Sequence, residues 1–92
     1  MSSNNGSITT GDGATIAWAC QGEGPPMVLV HGITEHLRTW DPIAGLLADD
    51  FAVTRIDLRG HGESSRTPPY DLQRLATDLT EVCGALGLSG RC

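Results

Sequence analysis

Hydrophobic positions alternate in the first part of the chain. In "SITT" and "ATIAWAC", residues 7–10 and 14–20, Ile8, Ile16, Trp18 and Cys20 are separated by small or polar residues. A period of two is what a strand with one buried face produces. The intervening "GDG" supplies a turn, so this stretch predicts a β-hairpin. Residues 1–6 are polar and are expected to be a disordered N-terminus, leaving 7–92 as the folded part. After "QGEGPP" the pattern changes. "MVLVH", residues 27–31, is apolar at consecutive positions, as in a strand covered on both faces of a parallel sheet. "AVTRIDL", residues 52–58, predicts a second such strand. Between them, Trp40, Ile43, Leu46 and Leu47 recur at helical spacing, with Thr39 as a cap and Pro42 in the first turn.

The last element has the clearest period. Leu72, Leu75, Ala76, Leu79, Val82, Cys83 and Leu86 step by threes and fours. Gln73, Arg74, Thr77, Asp78 and Glu81 fill the other face, Asp71 is placed to cap the start, and Gly87 the end. The order is hairpin, then β-α-β-α, which implies a right-handed parallel crossover and a three-layer α/β sheet. Ligands of such sheets gather beyond the carboxyl ends of the strands. "HGITEH" and "RGHGESS" leave those ends and are expected to face one site.

Composition narrows the functions. At 92 residues the chain holds one domain at most, and 39% hydrophobic with 18% charged residues is globular rather than disordered. A net charge of −5 without any basic block argues against nucleic acid or an anionic membrane surface as partner. The longest apolar run falls far short of the roughly 20 residues that span a bilayer. "MSSNNGS" has no signal-peptide character. Cys20, Cys83 and Cys92 form no metal or redox spacing, and their odd number fits no closed framework; reduced thiols in a cytoplasmic protein are expected. A metal site could be assembled from His31, Glu35, His36, Asp57 and His61, but no paired short ligand spacing supports it. "GHGESS" lacks the last glycine of a dinucleotide fingerprint. No metal and no cofactor are expected.

"MVLVHGIT", "TWDPIAGLLADDFAVTRIDLRGHGESS" and the helix after them together resemble the N-terminal third of an α/β-hydrolase, from about Ser7 onward. The paired signal is HG followed some 25 residues later by "DLRGHGESS". The resemblance implies that the backbone N–H of Ile33 is an oxyanion-hole donor, with Gly32 allowing close backbone approach. One such donor is typically worth about 3–4 kcal/mol of transition-state stabilisation. It implies loop-holding roles for His31, Asp57, Arg59, Gly60, His61, Gly62 and Ser64, while Thr34 and Glu35 border the substrate. The family's nucleophile sits in a GxSxG elbow after the next strand. "GESSR" around Ser64 and "GLSGR" around Ser89 end in Arg where the elbow needs Gly, and neither follows an apolar strand.

The expected function is therefore a serine hydrolase of small ester, lactone or related acyl substrates. This chain carries its oxyanion-loop part, and the isolated chain is expected to be inactive because nucleophile, acid and base lie elsewhere. Thr34 stands where the epoxide hydrolase and dehalogenase branches often carry Pro, which weighs against their Asp nucleophile and leaves it as an alternative. The other alternative is a non-catalytic fragment or interaction module that self-associates through the exposed strand at Met27–His31.

Overall fold

The computed structural model describes residues 3–32, 34–88, 90 and 92. Strand β1 (Ser3–Thr9) and strand β2 (Thr15–Gln21) pair antiparallel, from Ser3 opposite Gln21 to Thr9 opposite Thr15. Their turn is closed by Thr10, whose N–H donates to Ala14 O at 2.8 Å and whose carbonyl accepts from Gly13 N at 3.0 Å. Gly13 takes φ +89°, a conformation that favours glycine. Four of the six residues expected to be disordered, Ser3–Gly6, are thus strand. Ser3–Gly6 are held by backbone pairing to β2 while their side chains stay exposed. Their polarity reports an outward face, not a lack of structure.

Strand β3 (Pro26–Val30) runs parallel to strand β4 (Ala52–Ile56), and β4 pairs antiparallel with β2, giving the order β1-β2-β4-β3. The crossover from β3 to β4 passes through a 3₁₀ turn at Leu37–Trp40 and helix α1 (Asp41–Leu47). Helix α2 (Leu72–Leu86) follows β4. Alternation along β4 separates the layers. Arg55 reaches back to Asp41 of α1, while Ile56 packs with Val82 of α2, so the two helices cover opposite faces. The core is Ile16, Ile56 and Val82, surrounded by Ile8, Trp18, Val28, Leu79 and Leu86.

Several side chains depart from the sequence pattern. Leu72 is 84% exposed because it sits in the first turn of α2, beyond the sheet. Asp78, assigned to the solvated face, is buried. In α1 it is Ala44 and the flanking Ala48 that are buried, while Ile43 and Leu46 face outward. Thr39 caps nothing: the 3₁₀ turn intervenes, and His36 caps that turn by accepting from Arg38 N. Cys20 and Cys92 form a disulfide with Cα atoms 5.5 Å apart, and Cys83 is free. The expectation of reduced thiols fails because the tail returns to the sheet. Gly87 and Gly90 both take positive φ, and Gly90 O accepts from Gly24 N just before β3. The thiol argument for a cytoplasmic location is lost with it. No helix among the described residues is long and apolar enough to cross a membrane.

Candidate functional site

Because β3 and β4 are parallel, the loops leaving Val30 and Ile56 emerge at one end of the sheet. Two buried side chains tie these loops together. Asp57 accepts from Leu37 N at 2.6 Å with one carboxylate oxygen and from Glu63 N at 3.0 Å with the other. It therefore pins the start of the 3₁₀ turn to the glycine-bearing loop. His31 works in the opposite direction, accepting from Leu58 N at its Nε2, 3.0 Å away. A peptide N–H can only donate, so the ring hydrogen sits on Nδ1, which donates to Gly32 O at 2.7 Å. Both nitrogens of His31 and both oxygens of Asp57 are committed to backbone groups. That arrangement ties the two loops together through backbone groups.

The second loop is packed at close quarters. Ser64 donates from Oγ to Asp57 O at 2.6 Å and accepts from Ala17 N at 2.8 Å, so this buried hydroxyl is engaged on both sides. Gly62 takes φ +51°, and a Cβ there would collide with the Asp57 carboxyl group. Gly60 takes φ +81° with Tyr70 against it. The His61 ring lies 5.1 Å from that of His31 and meets Arg59 O through Nδ1. A cleft of about 440 Å³ opens between these loops and the hairpin, bordered by Asn5 and Trp18 on one side and by His36, Arg38, Asp57 and Glu63 on the other.

Arg59 is fully buried and makes two ion pairs. Its Nε and Nη2 each lie 2.9 Å from an Asp78 oxygen, and its Nη1 and Nη2 donate to Asp12 at 2.8 and 2.9 Å. Thr67 O takes a further bond at 3.1 Å. Hydrogen bonds from Arg59, then from Thr10, hold the Asp12 carboxyl well below the usual carboxylate range, and Asp12 and Asp78 in turn raise Arg59. Arg74 joins from α2, 3.0 Å from Asp78 and 3.4 Å from Glu81. The hairpin turn, the loop after β4 and α2 are thereby joined at one guanidinium. Sequence reasoning named Arg59 but missed these partners. The available signal was that Asp78 lies three residues after Leu75 and four before Val82, in phase with the apolar stripe.

The first loop is a closed turn. Glu35 N donates to Gly32 O at 3.1 Å, and the Glu35 carboxylate folds back to accept from Gly32 N, also at 3.1 Å. Thr34 takes φ +71° within it, which is uncommon for a β-branched residue. Proline, fixed near φ −65°, could not replace it in this conformation. The predicted donor Ile33 and the near-miss Ser89 lie outside the described residues. Among the described residues no three His, Cys, Asp or Glu side chains are gathered as a metal site would require.

A family model described as the alpha/beta hydrolase family matches residues 27–91, spanning both loops and α2. The chain belongs to this family. A fluoroacetate dehalogenase of Burkholderia sp. is 35% identical over 86 residues, which cover 87% of this chain and 28% of that protein. A pimeloyl-[acyl-carrier protein] methyl ester esterase of Pseudoalteromonas atlantica is 43% identical over 70 residues, 74% of this chain and 27% of the esterase. The crystal structure of a hydrolase from Pseudomonas aeruginosa PA01 superposes with a TM-score of 0.86 at 39% identity, over 91% of this chain and 33% of that one. The chain thus spans about a third or less of the relatives it matches.

Proposed function

We propose that these residues form the oxyanion-loop portion of a serine hydrolase acting on small esters, lactones or related acyl compounds. Attack by a serine supplied from outside these residues places negative charge on the former carbonyl oxygen. The Ile33 N–H is the donor assigned to that oxygen, with a second donor from the residue after the nucleophile. The observation that carries this reading is the double tether of Asp57 and His31, which holds both loops rigidly at the carboxyl end of parallel strands. A donor acts on a transition state only if its position is fixed beforehand. The methyl ester esterase relative supports acyl chemistry. The dehalogenase relative keeps an Asp-nucleophile reading in view, and the positive φ of Thr34 weighs against it, since a proline loop cannot adopt this turn.

The test is Ile33→Pro in the full-length gene product, which deletes one backbone donor. Its kcat on a reactive ester should fall about 10²–10³-fold with KM little changed; an unchanged kcat refutes the assignment. One observation favours a second reading for the 92 residues alone. Among the described residues strand β3 is one edge of the sheet, with β1 at the other, and an open edge can pair with another chain. Sedimentation of the isolated chain should then show dimers and no ester turnover. A monomer that turns over ester removes this second reading.

A further inference from the structure

We propose that the cleft walled by Leu58, Tyr70 and Leu75 binds an apolar carboxylate, one anionic head on a hydrocarbon chain, with Arg66 taking the head. The site does not depend on the hydrolase reading. It shares no lining residue with the cleft bordered by Asp57 and Glu63.

The cavity measures about 400 Å³, inside the range of roughly 300–1,000 Å³ that small-molecule sites occupy. Its walls come from separate elements. Leu58 follows β4, Leu75 belongs to α2, and the half-exposed Tyr70 leads into that helix. Gly60 lies under the Tyr70 ring at φ +81°, and a Cβ there would stand 2.8 Å from the ring. A side chain at position 60 would therefore displace this wall. A hydrocarbon chain entering between the two leucines and the ring releases water from apolar surface on both partners.

Charge selects the head group. The lining holds no acidic side chain, and its basic groups are Arg59, His61 and Arg66. Arg59 is already balanced by Asp12 and Asp78, and His61 Nδ1 donates to Arg59 O. Arg66 stands apart. Arg38, Arg55, Arg59 and Arg74 each pair with a carboxylate, whereas Arg66 has none among the described residues. The acids nearest to it in sequence are turned elsewhere: Glu63 lines the other cleft, and Asp71 caps α2. Arg66 Nη1 instead donates to Ser64 O at 2.8 Å and to Gly62 O at 3.2 Å. Those two bonds fix the exposed guanidinium at the mouth of the cleft. Its Nε and Nη2 make no protein hydrogen bond among the described residues. Two parallel N–H groups on one guanidinium edge match the two oxygens of a carboxylate.

Calorimetric titration of the full-length gene product with octanoate, octanol and octylammonium tests the site. Octanoate should bind about fivefold more tightly than octanol, the size of a well-formed exposed ion pair, and octylammonium most weakly. Arg66→Gln should remove the octanoate advantage and leave octanol unchanged, while Tyr70→Ala should weaken both alike. Both side chains are exposed, so neither variant removes core packing. Salt at about 1 M should shrink the octanoate advantage in the natural protein. In ¹⁵N spectra, octanoate should move the Gly60, His61 and Leu75 amides and leave Leu37 and Glu63, at the other cleft, in place. Octanoate binding no tighter than octanol, or binding that Arg66→Gln leaves unchanged, overturns the proposal. So do shifts confined to Leu37 and Glu63, which place the acid in the other cleft. Binding of none of the three ligands overturns it as well.

Discussion

Replacing Asp57 with Asn tests the tether that links the two loops. The side chain is 3% exposed, and each oxygen accepts one backbone N–H, from Leu37 and from Glu63. Asparagine keeps the shape but offers one oxygen and one NH₂. Whichever way it turns, one buried N–H loses its acceptor and meets a second donor. An unsatisfied buried donor costs about 1–3 kcal/mol, and the remaining bond loses its charge assistance, so the sum is about 2–4 kcal/mol. A domain of this size has about 5–15 kcal/mol in total. At about 4–8 °C per kcal/mol, Asp57→Asn should melt some 10–25 °C lower by circular dichroism. Hydrogen exchange adds locality: the Leu37 and Glu63 amides should lose protection more than those of β1 do. A variant melting within about 2 °C of the natural chain, with those amides still protected, would refute the tether.

Other perturbations probe the remaining supports. Asp78→Asn leaves the buried Arg59 with one ionic partner fewer and should cost about 3–5 kcal/mol in urea unfolding; the apolar pair Arg59→Met with Asp78→Leu should cost less than either single change. Acid titration should show the Asp12 contribution. Its folded-state pKa is depressed below the usual 3.8, so its stabilisation is complete above that value and is lost as pH falls towards the depressed one; Asp12→Asn should flatten the stability curve in that window. Reducing the Cys20–Cys92 bond, with a sequence separation of 72, frees unfolded-state entropy worth about 4 kcal/mol, so Cys20→Ser should melt well below the oxidised chain and match it under reductant.

Elements with a strong period were legible in the sequence, and the chemistry between elements was not. The run "MVLVH" and the stepped leucines of α2 announced a parallel strand and an amphipathic helix. Among the described residues, however, the cover expected on both faces of the strand is not there: β3 lies at an edge of the sheet, with Met27, Val28 and Leu29 half-buried and Val30 exposed. The two glycine-bearing loops were placed at one end by topology alone. What failed were features decided by a distant partner. Asp78 looks like one more polar residue until Arg59 is brought against it, and Cys92 meets Cys20 only because two glycines after α2 turn the tail back. Ser3–Gly6 look unstructured because backbone pairing leaves no mark on side-chain polarity. The Glu35 carboxylate on Gly32 N was likewise hidden, since a three-residue separation in a loop has no fixed geometry.

One measurement goes to the centre of the account. The full-length gene product, labelled with ¹⁵N, is reacted with a phosphonate ester that leaves a negatively charged tetrahedral centre on the nucleophile. If the loop after β3 presents its amide to that charge, the Ile33 N–H resonance moves downfield as a strong hydrogen bond forms, while Leu37 and Glu63, already bonded to Asp57, stay in place. An Ile33 resonance indifferent to the adduct would contradict the account.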